Sequence, residues 1–191
     1  MTRTVVLFEG ASDRLAFEAA SRRLDVGVDA LDLVDLDGIT NLRAVLRDLL
    51  AQTDDVRVLG LYDAAEGAYV RRVLSDLGVL DSTADPERVG FFGCERDLED
   101  EAIAAAGPEL VVETLDARGE LARFRVFQGQ PAQRERAVED QLHRFAGTAA
   151  GRKARFAADV IDAIPLDRMP RPLVALLDAA LAGSQRPSPA V

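Results

Sequence analysis

The stretch Val5-Val6-Leu7-Phe8-Glu9-Gly10-Ala11-Ser12-Asp13 decides how the rest of the chain is read. Four apolar residues run into an acid, a glycine and a Ser/Asp pair. A continuous apolar run closed by turn residues is the pattern of a strand buried on both faces of a parallel sheet. Leu15, Phe17, Ala19, Ala20 and Leu24 follow at roughly helical spacing, with Ser12 or Asp13 as the expected N-cap. Glu9 then stands at the carboxyl end of a first strand, the edge of an open α/β sheet where ligands and metals bind.

The same unit recurs downstream. Residues 30–35 (ALDLVD) read as a second strand, Asp37-Gly38 as a turn, and Thr40 or Asn41 as the cap of a helix carrying Leu42, Val45, Leu46, Leu49 and Leu50 on one face. Residues 56–62 (VRVLGLY) form a third strand that ends at Asp63, and Glu66-Gly67 opens a third helix. Residues 89–94 (VGFFGC) form a fourth strand, and the acidic run Glu95 to Glu101 opens the helix after it. Strands alternating with helices predict right-handed crossovers and an α/β fold, a parallel four-stranded sheet with helices on both faces. From Pro108 the strand-like runs stop and helical spacing takes over. The expected layout is a core over 1–107, a C-terminal helical extension over 108–183 packed on it, and a disordered tail over 184–191.

Composition narrows the function classes. The chain has 191 residues, enough for one domain and a full core. No apolar run is long enough to span a bilayer and no basic-then-apolar leader opens the sequence, so a cytoplasmic protein with no membrane partner is expected. A lone cysteine, Cys94, excludes an internal disulfide framework and a multi-cysteine zinc site; its apolar neighbours make it a buried thiol. The net charge of −10 argues against a chain that coats nucleic acid unaided. Yet residues 118–155 carry nine Arg or Lys against four acids, so a basic C-terminal segment sits beside an acidic N-terminal part.

Chemistry concentrates at three strand ends. Glu9, Asp63 and the cluster containing Asp97 and Glu99 all fall there, and parallel strands bring those ends to one edge. Carboxylates gathered without cysteine or histidine suit a hard cation, Mg²⁺ or Mn²⁺, rather than zinc, and that setting serves phosphoryl chemistry. Asp97 and its acidic neighbours are equally the residues that cap a helix and complement its dipole. Lys153 is the only lysine in the chain, placed in Gly151-Arg152-Lys153-Ala154-Arg155 at a helix start. It reads either as a cation facing a scissile phosphate or as a survivor of an arginine-biased composition. His143 is the only histidine and reads as packed or surface-exposed. No phosphate-binding Gly-Lys-Ser/Thr loop, Gly-x-Gly-x-x-Gly fingerprint or Gly-x-Ser-x-Gly elbow is present.

Strand–Glu9-Gly10-x-x-Asp13 followed by strand–Asp63 resembles the Toprim domain of topoisomerases, primases and certain nucleases. Asp97-Leu98-Glu99, Phe127-Gln128-x-Gln130-Pro131 and Gly151-Arg152-Lys153-x-x-Phe156-Ala157 are similar to the Toprim half of the OLD-family (overcoming lysogenization defect) ATP-dependent endonucleases. The resemblance runs from Thr4 to about Leu181. It implies a Toprim (Rossmann-like) fold and a two-metal endonuclease that cuts DNA with Mg²⁺ or Mn²⁺. Glu9, Asp63 and Lys153 would be catalytic; Glu9, Asp13, Asp63, Glu66, Asp97 and Glu99 would hold metal; Arg152, Lys153 and Arg155 would meet nucleic acid.

Two departures matter. The family's second motif is usually Asp-x-Asp, whereas here it reads Asp63-Ala64-Ala65-Glu66, with Glu66 one residue beyond the missing aspartate. Family members also usually carry an ABC-type ATPase domain before the Toprim part, which implies a standalone form that is served by a separate ATPase subunit, acts alone or has lost activity; a homodimer is left open. Three readings follow: a metal-dependent DNA endonuclease, a degenerate Toprim-like binding or regulatory module, and another phosphotransfer reaction at the same site.

Overall fold

The computed structural model describes residues 3–52 and 55–182, and the tail expected over 184–191 lies outside them. The opening apolar run forms strand β1 (Arg3–Phe8), and helix α1 (Ala11–Arg23) follows after a two-residue turn. Its N-cap is Gly10 in extended backbone, with no side-chain cap, rather than Ser12 or Asp13. Those two residues fall inside the first turn, where the Ser12 hydroxyl donates to Asp13 Oδ1 at 3.4 Å. A glycine can take the extended N-cap position, which frees both polar side chains for the cavity described below.

Strand β2 (Leu31–Asp35) leads through a single 3₁₀ turn at Ile39–Asn41 into helix α2 (Leu42–Gln52). Asn41 does not cap by accepting; its side-chain amide donates back to Leu36 O at 2.8 Å and holds the turn. Strand β3 (Val56–Tyr62) and helix α3 (Gly67–Asp76) lie where the sequence places them. Strand β4 is shorter than expected, Phe91–Gly93, because Pro86–Val89 winds into a 3₁₀ turn. Gly90 turns the chain from that helix into the strand at φ +87, and a Cβ there would overlap Leu59 Cδ2. Only glycine meets both demands.

The sheet runs β2-β1-β3-β4 with every neighbouring pair parallel. Alternate residues of β1 explain its unbroken apolar run: Val6 and Phe8 face one core, Val5 and Leu7 the other. On the second face lie α2 and α3, through Leu42, Leu46, Val70, Val73 and Leu74. The first face is covered by α1, α4 (Leu98–Ala106) and the C-terminal helices α5 (Pro108–Ala117), α6 (Leu121–Gln128), α7 (Val138–Ala146), α8 (Ala150–Ile161) and α9 (Arg171–Ala182). Phe124, Phe127, Phe145 and Phe156 belong to that same continuous core as Phe8 and Phe17. Residues 131–137, between α6 and α7, form turns rather than continuous helix, and Gln141 from α7 holds them by donating to Gln133 O and Arg136 O. Helix α1 is fixed to β2 by Arg14, whose Nε donates to both oxygens of Asp35 at 3.0 and 3.1 Å. No helix among the described residues is long and apolar enough to cross a membrane.

This topology creates the place for a site. From β1 the chain leaves to α1 on the first face, and from β3 it leaves to α3 on the second. Adjacent parallel strands whose connections diverge to opposite faces leave a crevice beyond their carboxyl ends, the switch point at which such sheets bind ligands.

Candidate functional site

Glu9 follows the last residue of β1 and Asp63 the last residue of β3, so the two acids flank the switch point. Backbone bonds make that edge rigid. Gly38 N donates to Glu9 O at 3.0 Å, Cys94 N to Tyr62 O at 2.9 Å, and Ala64 N to Arg96 O at 2.9 Å, so the turns after β1, β3 and β4 are tied to their neighbours. Asp97 then caps α4, accepting from Asp100 N at 2.9 Å, as its place in the acidic run suggests.

A cavity of about 250 Å³ opens there. Glu9, Asp13, Asp63, Asp97 and Glu99 line it, and Lys153 from the first turns of α8 faces them. Four chain segments, from Glu9 to Lys153 in the sequence, thus present five carboxylates and one ammonium to a common space. Helix α8 reaches this position because it packs along α1, with Phe156, Ala157 and Val160 in the shared core.

The electrostatics of the cavity are those of crowded, partly buried acid. Burial, with the charges of Glu99 and Glu9, pushes the Asp13 carboxyl up to about 7. Burial, with the charges of Asp13, Asp97, Glu9 and Glu99, pushes Asp63 to about 7 as well. Glu99 is raised chiefly by burial, with Asp97 adding to it and Lys153 and His143 offsetting part. Glu99 Oε1 is buried without a hydrogen-bond partner, an acceptor turned to the interior with nothing to accept.

A hard divalent cation fits this donor set. The candidate ligands are carboxylate oxygens, one of them orphaned, and burial together with neighbouring carboxylates raises two of the acids to about 7, a state that a cation among them would relieve. As the side chains stand, no three acids, histidines or cysteines among the described residues converge closely enough to hold one ion together. Side-chain rotation would be needed to close them on a metal.

Three expected site residues are not brought to this cavity. Glu66 is absent from its lining; it sits at the start of α3, half-buried. Arg152 is fully engaged elsewhere: its Nε donates to Glu120 Oε2 at 2.9 Å, its Nη1 to Phe145 O at 3.1 Å, and its guanidinium lies 3.8 Å over the Phe145 ring. That guanidinium acts as a tie among α6, α7 and α8. Arg155 is exposed one turn further along α8 and faces a different cavity.

One residue of the cavity was read otherwise in the sequence. His143, expected to be packed or on the surface, lines the cavity from the last turn of α7, with Nε2 2.6 Å from Asp97 Oδ2. Nothing in its local sequence marks this, since the pairing spans 46 residues and depends on where α7 docks. Ser12 also lines the cavity. Its neighbour Asp13 in the Glu-Gly-x-x-Asp motif is the available signal. Cys94 is buried just beyond β4, and burial pushes its thiol further up, so it is inert at neutral pH.

No protein-family model matches the chain, and no curated protein matches it. Solved structures do. The C-terminal region of the Xanthomonas campestris pv. campestris OLD protein is 24% identical, with a TM-score of 0.68 over 96% of this chain and 97% of that one. The C-terminal region of the Burkholderia pseudomallei OLD protein is 18% identical, with a TM-score of 0.64 over 95% of this chain and 98% of that one. The agreement extends from the sheet through the C-terminal helices, and the chain has the Toprim-type α/β fold of OLD-protein C-terminal regions.

Proposed function

We propose that the chain is a divalent-metal-dependent endonuclease that hydrolyses DNA phosphodiester bonds at the carboxylate cavity. The observation that carries this reading is the convergence of Glu9, Asp13, Asp63, Asp97 and Glu99 opposite Lys153 at the switch point of the sheet. Glu9, Asp63 and Glu99 would hold Mg²⁺ or Mn²⁺, with Asp13 and Asp97 completing the shell. A bound divalent ion there supplies a polarised water at neutral pH and stabilises charge on the leaving oxygen.

The chain's own residues do the rest. Lys153 meets the charge that grows on the phosphoryl oxygens, since it is the only ammonium facing the acids. His143 orients Asp97 and fixes one carboxylate oxygen while Asp100 N fixes the other. Rigid turns behind Glu9 and Asp63 keep their carboxylates aimed at a single space. Unpaired cations of the basic segment 118–155 would supply phosphate contacts, while the net charge of −10 favours a partner that contributes DNA affinity, such as a separate ABC-type ATPase subunit.

The absence of Glu66 from the cavity and the alanine at position 65 favour a second reading, a binding or regulatory module that has lost catalysis. Plasmid nicking separates the two. Purified protein with supercoiled plasmid and Mg²⁺ or Mn²⁺ should yield open circles, and Glu9→Ala and Lys153→Ala should each abolish them. Intact plasmid with well-folded wild type, alone and with its ATPase partner, would leave the binding module standing. Cleavage that survives both substitutions would remove the site assignment.

A further inference from the structure

A second, larger cavity of about 410 Å³ lies between α5, α6 and α8, on the other side of the same turn that carries Lys153. Its floor is apolar, built from Leu115, Phe156 and Val160. Four arginines, 118, 123, 152 and 155, stand around it against two carboxylates, Glu120 and Asp159. Most of that charge is already matched. Arg118 bonds Asp159 at 2.6 Å, and Arg123 and Arg152 both bond Glu120. Arg155 makes no ion pair or hydrogen bond of its own among the described residues, and its charge only adds to the field on Asp159. The cavity therefore presents an apolar pocket with an excess of cations at the rim, one of them uncommitted.

Successive residues of a helix face different ways. In α8, Lys153 turns to the carboxylates while Gly151, Arg152 and Arg155 turn to this second cavity. One strand of nucleic acid crossing the start of α8 would touch both.

We infer that the cavity between α5, α6 and α8 receives one unpaired nucleotide of a single-stranded substrate segment, with the base on the apolar floor and its phosphate at Arg155. The inference rests on the nuclease reading for its choice of nucleic acid and adds the substrate form. A duplex hides its base faces in the stack and offers phosphates and groove-facing base edges, neither of which enters an apolar recess. An unpaired base offers a flat apolar face, and aromatic or aliphatic floors with arginine beside them are how single strands are held. The volume is within the range of small-ligand pockets, several times what a lone phosphate fills. The absence of a side chain at Gly151 leaves the mouth open, since a Cβ there would meet nothing within 4 Å.

The test is binding of a fluorescein-labelled single-stranded oligonucleotide, beside the same strand annealed into a duplex, with EDTA present so that no metal or cleavage contributes. The single strand should bind about tenfold or more tightly than the duplex. Gly151→Leu, which fills the mouth, and Arg155→Glu should each weaken single-strand binding by a similar factor, while Gly151→Ala should not. Equal affinity for duplex and single strand, wild-type binding by a Gly151→Leu protein that melts normally, or no binding at all would overturn the inference. Because the assay is metal-free, failed plasmid nicking beside intact, pocket-dependent single-strand binding would count against the nuclease alone.

Discussion

Asp13 is the residue at which charge crowding is most consequential. Its carboxyl is raised to about 7 by burial and by Glu99 and Glu9, far above its value in an unfolded chain. The folded state therefore holds a proton there that the unfolded state has lost. Stability from this group is fully present below the unfolded value and is lost as pH rises through about 7. Asp13→Asn removes the titration. In EDTA it should be more stable than wild type, by on the order of 1 kcal/mol or more at neutral pH, with the gap widening from about pH 4 to about pH 7 and levelling off above that. A gap that stays constant across that range, read by thermal melts, would place the strain elsewhere. Arg152 makes the opposite case. Its bonds to Glu120 and Phe145 O and its stacking on Phe145 are structural, so Arg152→Ala should cost about 1–3 kcal/mol. Arg152→Lys should not restore it, because an ammonium cannot make the forked and stacked contacts together; chemical denaturation would decide.

Elements tell how the site is assembled and how much of it the sequence announces. Strands β1 and β3 and the acids after them are legible directly, because an apolar run and the acid or turn that ends it are local. The shortening of β4 is not, since it depends on the 3₁₀ turn at Pro86–Val89 and on Gly90 fitting against Leu59. Gly90→Ala should accordingly destabilise by about 2–4 kcal/mol, combining a disfavoured φ with a clash. A melt unchanged by that substitution would mean the strand can begin without the left-handed turn. Likewise Lys153 is conspicuous as the only lysine, but its position opposite the acids comes from α8 packing along α1, a contact between elements more than a hundred residues apart. His143 was unreadable for the same reason: only the docking of α7 puts it 2.6 Å from Asp97. Arg152 and Arg155 look equivalent in the basic run and line one cavity, and only the pairing of Arg152 with Glu120 separates them.

At the scale of the whole molecule, the sheet and the C-terminal helices share one core, so the acids on strand ends and the lysine on α8 are held as parts of one rigid body. The whole account turns on whether that carboxylate space binds a divalent ion. Ligand that binds only the folded state stabilises it by mass action, about 2.7 kcal/mol at a hundredfold excess over its dissociation constant. Mn²⁺ should thus raise the melting temperature of wild type and do little for a Glu9→Ala/Asp63→Ala protein. The most direct measurement is calorimetric titration of Mn²⁺ into both proteins. Saturable binding by wild type that the double variant loses is the predicted result; no binding by wild type, or equal binding by the variant, would contradict the account.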